Sequence, residues 1–244
     1  CPNVMPKFGE LQTETVQKEI RNLFLTQIIE AKGLTEAQNL LSGILMPTPS
    51  AMLSAMKLLA EGTGAEDGIG PLLGIDVGGA TTDIYSIADG SPQDIKVMLK
   101  GLPEPYVKRT VEGDIGMRYS IDGIIAELGL KNLAGLSGLS ETRLIELVEC
   151  FSSEKDVIPR GSEEEAFELA LAMAAVDVAS QRHSGKLLEV YTSTGLAYLQ
   201  TGKDLRSLEQ IVLSGGALIH AGDPLKIAGA ALYSNAVPTS LRPL

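Results

Sequence analysis

Apolar residues in the middle of the chain predict two short strands with a pair of glycines between them. Residues 72–77 (LLGIDV) are apolar except for Asp76 near their end, which is typical of a buried strand. Gly78 and Gly79 interrupt the run, and residues 84–87 (IYSI) resume it. A strand, a glycine turn and a second strand predict a β-hairpin.

Helical spacing of apolar residues marks much of the remaining chain. It predicts helices over residues 11–31, 36–41, 51–61, 120–130, 141–151, 163–183 and 223–233. Short apolar runs predict strands at 187–191, at 211–213 and at 95–99, the last antiparallel to the hairpin, whereas residues 131–139 predict turns. Ser162 and Glu165 form a capping-box pattern before the longest helix, and His183 in its last turn is interpreted as a helix-end charge.

The predicted hairpin turn carries residues suited to binding a phosphate. Its glycines let backbone N–H groups approach an anion, and Thr81 and Thr82 add hydroxyl donors. Asp76 and Asp83 would repel a phosphate alone, so they favour a hard cation or an attacking water between carboxylate and phosphate. An ordinary tight turn capped by Thr and Asp is the alternative.

Residues 107–119 (VKRTVEGDIGMRY) place charged side chains around two further glycines, Gly113 and Gly116. Because a predicted helix follows, this segment can present N–H groups and a positive dipole end to phosphate or ribose oxygens. The charged residues concerned are Lys108, Arg109, Glu112, Asp114 and Arg118. A charged surface loop that ends in a helix cap is the alternative.

A third glycine turn follows the predicted strand at 211–213. Gly215 and Gly216 end this strand, and Asp223 with Pro224 begins the next helix. Ligands of α/β folds bind at the carboxyl ends of strands, so this turn is a candidate ligand contact. A plain strand–turn–helix connection fits the pattern as well.

Composition narrows the classes of function. The chain has 244 residues, 44% apolar content and a net charge of −11, which indicates a globular protein and disfavours binding to nucleic acid or an anionic membrane. Aromatic residues make up 4% and Trp is absent, which removes the stacking platforms of single-strand binders. The two cysteines and two histidines argue against a zinc site. No apolar run approaches the length of a membrane helix, and we expect a cytoplasmic protein.

The chain is predicted to contain two subdomains. Residues 1–101 would hold the hairpin, and residues 102–244 would hold a helix-rich part with the strand–turn–helix around Gly215. The sequence begins with Cys1 rather than Met, which predicts a fragment of a longer protein.

The three glycine-marked stretches resemble the phosphate, connecting and adenosine motifs of the actin-like ATPase superfamily. They read IDVGGATTDIYS, RTVEGDIGMR and VLSGGALIHAGDP. Within that superfamily the chain most resembles the family of glutamate mutase accessory proteins called MutL or GlmL, which is unrelated to the mismatch-repair proteins of the first name. The resemblance also includes NVMPKF, MPTPSAML, GLPEPYVKRTVEGD and YTSTG, and it covers essentially the whole chain.

This resemblance implies an α/β, actin-like (ribonuclease H-like) fold with a mixed sheet flanked by helices. It also implies an ATP-dependent reactivating chaperone whose partner is a cobalamin-dependent mutase of the glutamate mutase or aminomutase type. ATP or ADP and Mg²⁺ would be the cofactors, and nucleotide hydrolysis would drive a subdomain movement.

The resemblance further assigns roles to residues at matching positions. Asp76 would hold the Mg²⁺ hydration shell or orient the attacking water, and Asp83 would be a second carboxylate on the metal side. The residues that would contact the nucleotide are Gly78, Gly79, Thr81 and Thr82 at the β- and γ-phosphates, Glu112, Gly113 and Asp114 near the ribose or phosphates, and Gly215 and Gly216 at the adenosine.

The sequence departs from the superfamily pattern in one respect. Actin-like ATPases carry two acidic glycine loops, and this sequence contains one, whose distance from Gly215 suits the second loop. The first phosphate loop would therefore lie before Cys1, and we expect this chain to fold but to hydrolyse ATP poorly. The alternatives are a hydantoinase- or oxoprolinase-like ATP-dependent enzyme on the same fold and a non-catalytic interaction domain.

Overall fold

The computed structural model describes residues 47–193 and 195–244, together with residues 2–8, 12, 13, 15, 16, 18–20, 22 and 23. The chain divides into two compact units, residues 1–54 and 55–244. The described residues between 13 and 23 are mostly helical, as the periodicity predicts, whereas residues 24–31 and the predicted helix over 36–41 lie outside the described residues. No helix in the described part of the chain is long and apolar enough to cross a membrane.

Strands and helices are mixed along the described chain from residue 47 onward. The strands are β1 (Leu72–Val77), β2 (Thr82–Ile87), β3 (Val97–Leu99), β4 (Val107–Glu112), β5 (Lys186–Thr192), β6 (Gly195–Thr201) and β7 (Gln210–Ser214). The helices are α1 (Thr48–Glu61), α2 (Ile121–Leu128), α3 (Leu130–Ser137), α4 (Glu141–Ser153), α5 (Ser162–His183), α6 (Gly216–Ile219) and α7 (Pro224–Gly229). The predicted α/β class is therefore confirmed, although α1 begins and α7 ends earlier than predicted.

A four-stranded mixed sheet is built in the order β4-β2-β1-β7. β1 and β2 are the predicted hairpin and pair antiparallel, with Asp76 opposite Asp83. β4 pairs antiparallel with β2, and β7 pairs parallel with β1. The hairpin prediction is confirmed, and β7 lies directly beside it.

One face of this sheet packs against α5. Successive strand residues alternate between the two faces, so Ile75 and Val77 of β1 share a face with Ile84 of β2. All three are buried, and α5 brings small apolar residues such as Ala174 and Ala175 into the same core. The close approach of helix and sheet depends on this small-residue surface of α5.

The start of α5 differs from the predicted capping box. Gly161 occupies the cap position and Ser162 is already helical, so the prediction of Ser162 as the cap is wrong. Glu164 instead accepts a hydrogen bond from the backbone N–H of Arg160 at 2.6 Å. Three glutamates in the first turn also stabilise the helix, because their negative charges lie at the positive end of the helix dipole.

A separate three-stranded sheet has the order β3-β6-β5. β5 and β6 pair antiparallel, and β3 pairs parallel with β6. The prediction that β3 is a third strand antiparallel to the hairpin is therefore wrong. Both edges of β2 are already paired, one with β1 and the other with β4, so β2 has no free edge for β3. β4 and β6 have no counterpart among the predicted strands.

Residues predicted as turns after α2 form most of helix α3. Leu133 is fully buried in the core, and Leu130 and Ala134 pack against it. Gly129 separates α2 from α3, and Gly138 ends α3 in the left-handed conformation. The turn prediction was wrong because tertiary burial overrides the weak helix propensity of the local Gly and Ser residues.

Candidate functional site

The turns after β1 and β7 lie side by side at one end of the four-stranded sheet. In the parallel register, Asp76 is the partner of Ser214, and Gly215 follows with a φ of 100°. A Cβ atom at Gly215 would lie 2.3 Å from the Val77 carbonyl oxygen and 3.1 Å from Asp76 Oδ1. Only glycine tolerates both the backbone conformation and this contact. The structure therefore places Asp76 next to the second glycine turn.

A cavity of about 430 Å³ opens between these two turns. Gly78 and Gly79 line it from the hairpin, and Gly216 and Ala217 line it from the turn after β7. Its remaining walls come from Val77, Met117, Arg118, residues 157–159, Glu168 and His220. Three of the glycines predicted as nucleotide contacts thus line one concave surface.

A second cavity of about 510 Å³ continues the first along α5. The walls that both cavities share are Ile158, Pro159, Glu168, Ala217 and His220. Each volume lies within the usual range for small-molecule sites. The pair forms an elongated cleft that starts at the hairpin turn and ends near the start of α7, where Asp223 lies.

The threonines after the glycine pair have different surroundings. Gly78 closes the turn by donating its N–H to the Thr81 carbonyl at 2.9 Å, and Thr81 is half-buried. Thr82 is fully buried, and its Oγ1 donates to the Ile115 carbonyl at 3.0 Å. The Thr82 hydroxyl therefore stabilises the turn from the core side and does not face the cavity.

Asp76 and Asp83 are cross-strand neighbours with different partners. Asp83 accepts a hydrogen bond from Arg109 Nε at 2.7 Å, and Arg109 Nη2 lies 2.6 Å from the same oxygen. Among the described residues no cation pairs with Asp76. Burial raises the pKa of Asp76, the charge of Asp83 raises it further, and a hydrogen bond with Ser214 opposes both. Asp76 is therefore the carboxylate that remains available to a water or a cation.

The surroundings of Asp76 fit Mg²⁺ only as a largely hydrated ion. Within the part of the chain that the structure describes, no group of three or more His, Cys, Asp and Glu side chains could hold a metal ion. Mg²⁺ commonly keeps several waters and takes one or two carboxylates together with substrate phosphates. Val77 points to the face opposite Asp76 and lines the cavity, so Asp76 borders the turn of Gly215 and not the cavity wall.

Glu112, Gly113 and Asp114 lie at the end of β4, where the two carboxylates bind Arg182 of α5. Arg182 Nη1 lies 2.8 Å from both Glu112 Oε2 and Asp114 Oδ1, and its Nη2 lies 2.6 Å from Glu127 Oε1. Gly113 is exposed, with nothing within 4 Å of a Cβ atom placed there. None of the three predicted residues lines either cavity. The structure holds them in an ion cluster apart from the cavity walls.

Several cavity residues were absent from the predicted site. Arg118 forms an ion pair with Glu168, and its guanidinium also donates to the Val157 carbonyl at 3.2 Å. Arg118 belongs to the charged segment noted in the sequence, but nothing local points to Glu168, because their pairing depends on how α5 crosses the sheet. His220 follows the glycine pair by one helical turn, and that spacing is a signal that could have identified it.

His183 is not a helix-end charge, contrary to the interpretation of the sequence. It is fully buried, and its ring nitrogens lie 2.8 Å from Thr110 Oγ1 and 2.8 Å from Ser86 Oγ. Burial, together with the charges of Lys108 and Lys203, lowers its pKa to about 3. The imidazole is therefore neutral near pH 7 and joins α5 to the sheet through hydrogen bonds.

Comparison with known proteins identifies the family. A family model described as MutL protein matches residues 1–244. Protein MutL of Clostridium tetanomorphum is 42% identical over 241 residues, which cover 99% of this chain and 52% of that relative. The chain thus spans about half the length of the curated relative. The family resemblance seen in the sequence is confirmed, and the chain belongs to the MutL family.

Proposed function

We propose that this chain binds Mg²⁺–ATP at the end of the four-stranded sheet, where the turns after β1 and β7 meet, as part of an actin-like ATPase fold. The observation that carries the proposal is the parallel pairing of β1 with β7, which brings Gly78 and Gly79 to the same cavity as Gly216. Glycine turns at the carboxyl ends of neighbouring parallel strands are a common place for nucleotides to bind.

The two connected cavities would hold the nucleoside. Ile158, Leu169 and Ala217 supply apolar surface for a base, and Gly216 lets backbone approach it closely. The phosphates would extend from the cavity across Gly78 and Gly79 toward Asp76. This orientation uses both glycine turns and Asp76, which, unlike Asp83 across the hairpin, has no cationic partner among the described residues.

Asp76 would hold the hydration shell of the metal or orient the attacking water. Bound Mg²⁺ supplies positive charge that offsets the charge of the phosphates. The oxygen of the attacking water would bond to the γ-phosphorus while the bond between that phosphorus and the β–γ bridging oxygen breaks, giving ADP and phosphate, and the attacking water would lose one proton to bulk water. The backbone N–H groups of the hairpin turn would stabilise the negative charge during this transfer.

For the whole protein we propose an accessory role toward glutamate mutase or a related cobalamin-dependent aminomutase. Membership of the MutL family and the candidate nucleotide site support this role together. Nucleotide-dependent closure of the cleft would change the contact with the mutase, so that inactive cobalamin leaves and the mutase is reactivated. Turnover by the present chain is expected to be slow.

Calorimetric titration with Mg²⁺–ATP and Mg²⁺–ADP tests the binding site. A Cβ atom at Gly79 would make only ordinary contacts, 3.6 Å from Arg118 Cβ, so Gly79→Leu adds a bulky group beside the cavity without a backbone clash. Gly64→Leu is the matched control, because Gly64 has open space around it. We expect native chain and Gly64→Leu to bind nucleotide and Gly79→Leu to lose binding.

Absence of any heat with millimolar nucleotide and Mg²⁺ would contradict the proposed site and favour a non-catalytic interaction domain. The accessory role is tested separately, by adding the full-length protein and ATP to a mutase inactivated with its cobalamin in place. Recovery of activity on addition of fresh adenosylcobalamin supports the role, and recovery that is equal without ATP contradicts it.

A further inference from the structure

Residues 116–120, here named the strap, run beside the turn between β1 and β2. Hydrogen-bond donors of the strap bind every carbonyl of the turn from residue 78 to residue 80. The pairs are Met117 N–H to Gly78 at 3.0 Å, Arg118 N–H to Gly79 at 2.8 Å, Tyr119 N–H to Gly79 at 2.7 Å and Ser120 Oγ to Ala80 at 2.7 Å. The strap therefore fixes the orientation of three successive peptide groups.

That orientation determines where the N–H groups of the turn point. In a trans peptide, the carbonyl of one residue and the N–H of the next point in opposite directions. Because the carbonyls of residues 78–80 face the strap, the N–H groups of Gly79, Ala80 and Thr81 face away from it. Among the described residues nothing accepts a hydrogen bond from these three groups. Successive N–H groups on one side of a turn form an anion-binding surface.

Two strap residues are fitted to the turn in ways that α2 itself does not require. Ser120 occupies the N-cap position of α2 but makes no capping hydrogen bond, since its hydroxyl is directed to Ala80. A Cβ atom at Gly116 would lie 2.4 Å from the carbonyl carbon of Ala80. This contact is between two backbones, so no side-chain rotation could relieve it.

We infer that the strap is a positioning element of the phosphate site, in which Gly116 and Ser120 hold the turn so that its N–H groups are presented together to an anion. The inference rests on the proposed function. Neither residue touches the nucleotide, and each acts through Gly79, Ala80 and Thr81.

The first test compares Ser120→Ala with Ser137→Ala. Ser137 Oγ also donates to a backbone carbonyl, that of Leu133 at 2.9 Å, but it lies in α3 and outside the strap. Each variant is titrated with Mg²⁺–ATP, with inorganic tripolyphosphate and with adenosine. We expect Ser120→Ala to bind ATP and tripolyphosphate about fivefold more weakly, the effect of one hydrogen bond, with adenosine affinity unchanged. Ser137→Ala should bind all three as the native chain does.

Two further variants separate positioning from a general loss of structure. Ser120→Thr keeps the hydroxyl and should restore the affinity for tripolyphosphate. Gly116→Ala should weaken tripolyphosphate binding by more than about tenfold, because it displaces all three peptide groups. Gly135→Ala is its control, since a Cβ atom at Gly135 meets nothing within 4 Å.

The outcomes distinguish this inference from the proposed function. Equal tripolyphosphate affinity in Ser120→Ala and native chain, or a parallel loss of adenosine affinity, would overturn the strap inference. Tripolyphosphate binding that depends on Ser120, without any binding of adenosine nucleotides, would contradict the nucleotide proposal and support the strap. A native chain that binds none of the three ligands would overturn both.

Discussion

At the end of the four-stranded sheet where β1 and β7 finish, polar groups remain available, whereas at the opposite end they are bonded to one another. Asp76 lies at the first end, and among the described residues no cation pairs with it. The N–H groups of Gly79 and Ala80 at the same end have no acceptor in the described part of the chain. These groups are suited to a ligand because they are not needed to hold the fold together.

At the opposite end, two ionisable side chains are fully buried and hydrogen-bonded. Lys203 Nζ donates to the carbonyls of Tyr106, Pro105 and Ser86 at 2.7, 2.9 and 3.3 Å. His183 forms hydrogen bonds with the hydroxyl groups of Thr110 and Ser86, so Ser86 contacts both His183 and Lys203. Burial and the charge of Lys108 lower the pKa of Lys203 to about 8.

The comparison shows that a buried ionisable side chain can serve the fold alone, with its polar atoms hydrogen-bonded inside the protein. The pKa values of Lys203 and His183 are strongly lowered, yet the hydrogen bonds of these residues connect β2, the segment before β4 and the end of α5. Asp76 is less buried, and it borders the turn of Gly215, whose neighbour Gly216 lines the cavity. A perturbed pKa therefore indicates a candidate functional residue only together with geometry.

The largest expected effect is that of Lys203→Met on stability. The substitution removes the donor for three carbonyl oxygens, and we expect the free energy of unfolding to fall by about 3 kcal/mol. Urea unfolding followed by circular dichroism measures it. Lys57→Met is the control, because the pair of Lys57 with Glu61 is solvent-exposed and should change stability by less than about 0.5 kcal/mol. Similar losses in both variants would show that the buried end is not held by Lys203.

A comparison of Gly215→Ala with Gly216→Ala tests the structure at the end of the four-stranded sheet where β1 and β7 finish. At Gly215 the added Cβ atom would clash with the Val77 carbonyl, and alanine would be strained at a φ of 100°. We therefore expect the free energy of unfolding to fall by about 2–3 kcal/mol. At Gly216 the space is open and the residue begins α6, so the stability should change little. Thermal unfolding of the two variants, side by side, measures the difference. Equal melting temperatures would mean that the two turns do not contact each other as described.

The local sequence was sufficient for the hairpin and for the glycine turns, but not for what surrounds them. Alternating apolar residues and adjacent glycines are short-range signals, and the parallel neighbour of β1 then brought the predicted turns together. The pairing of Asp83 with Arg109 and that of Arg118 with Glu168 depend on contacts between separate elements. No spacing rule predicts such contacts from one sequence.

The errors have the same physical origin. The prediction places β3 beside the hairpin because it follows β2 in sequence, yet both edges of β2 are paired, one with β1 and the other with β4. The prediction of His183 as a helix-end charge rests on the preference of a helix C-terminus for a cation. In the structure the imidazole of His183 is buried, and its neutral form is stabilised by hydrogen bonds with the hydroxyl groups of Ser86 in β2 and Thr110 in β4.

The neutral state of His183 predicts a particular loss of stability in acid. The unfolded chain takes up a proton below the ordinary pKa of 6.5, whereas the folded imidazole stays neutral down to about 3. The unfolded state then holds more protons, so stability falls as the pH is lowered, by about 2 kcal/mol between pH 6.5 and 5. His183→Gln should remove this dependence, and urea unfolding at several pH values measures it. At pH 8 the two proteins differ only through lost hydrogen bonds, which provides the reference.

The smallest expected effect is that of Asp76→Asn, which should raise the stability of the fold but weaken the proposed function. The folded state raises the pKa of Asp76 above its ordinary 3.8, so the folded chain holds this proton more tightly than the unfolded chain. Stability is therefore greatest at low pH and falls as the pH rises through the raised value. Asp76→Asn removes the charge, and we expect the melting temperature at pH 7 to rise by about 2 °C.

The same substitution should weaken the functions proposed for the Asp76 carboxylate, which are metal-dependent binding and hydrolysis of ATP. We expect Asp76→Asn to reduce Mg²⁺-dependent ATP affinity or turnover while adenosine still binds, because in the proposed site the carboxylate would contact the hydrated metal and it does not line the nucleoside cavity. Differential scanning fluorimetry from pH 4 to 8 measures the first effect, and the gain over native chain should shrink toward pH 4. A variant that is less stable at pH 7 would show that Asp76 is a structural residue like Lys203. A carboxylate that is ionised where its surroundings disfavour the charge lowers the stability of the fold. Such a loss of stability is expected at a residue whose charge binds a ligand.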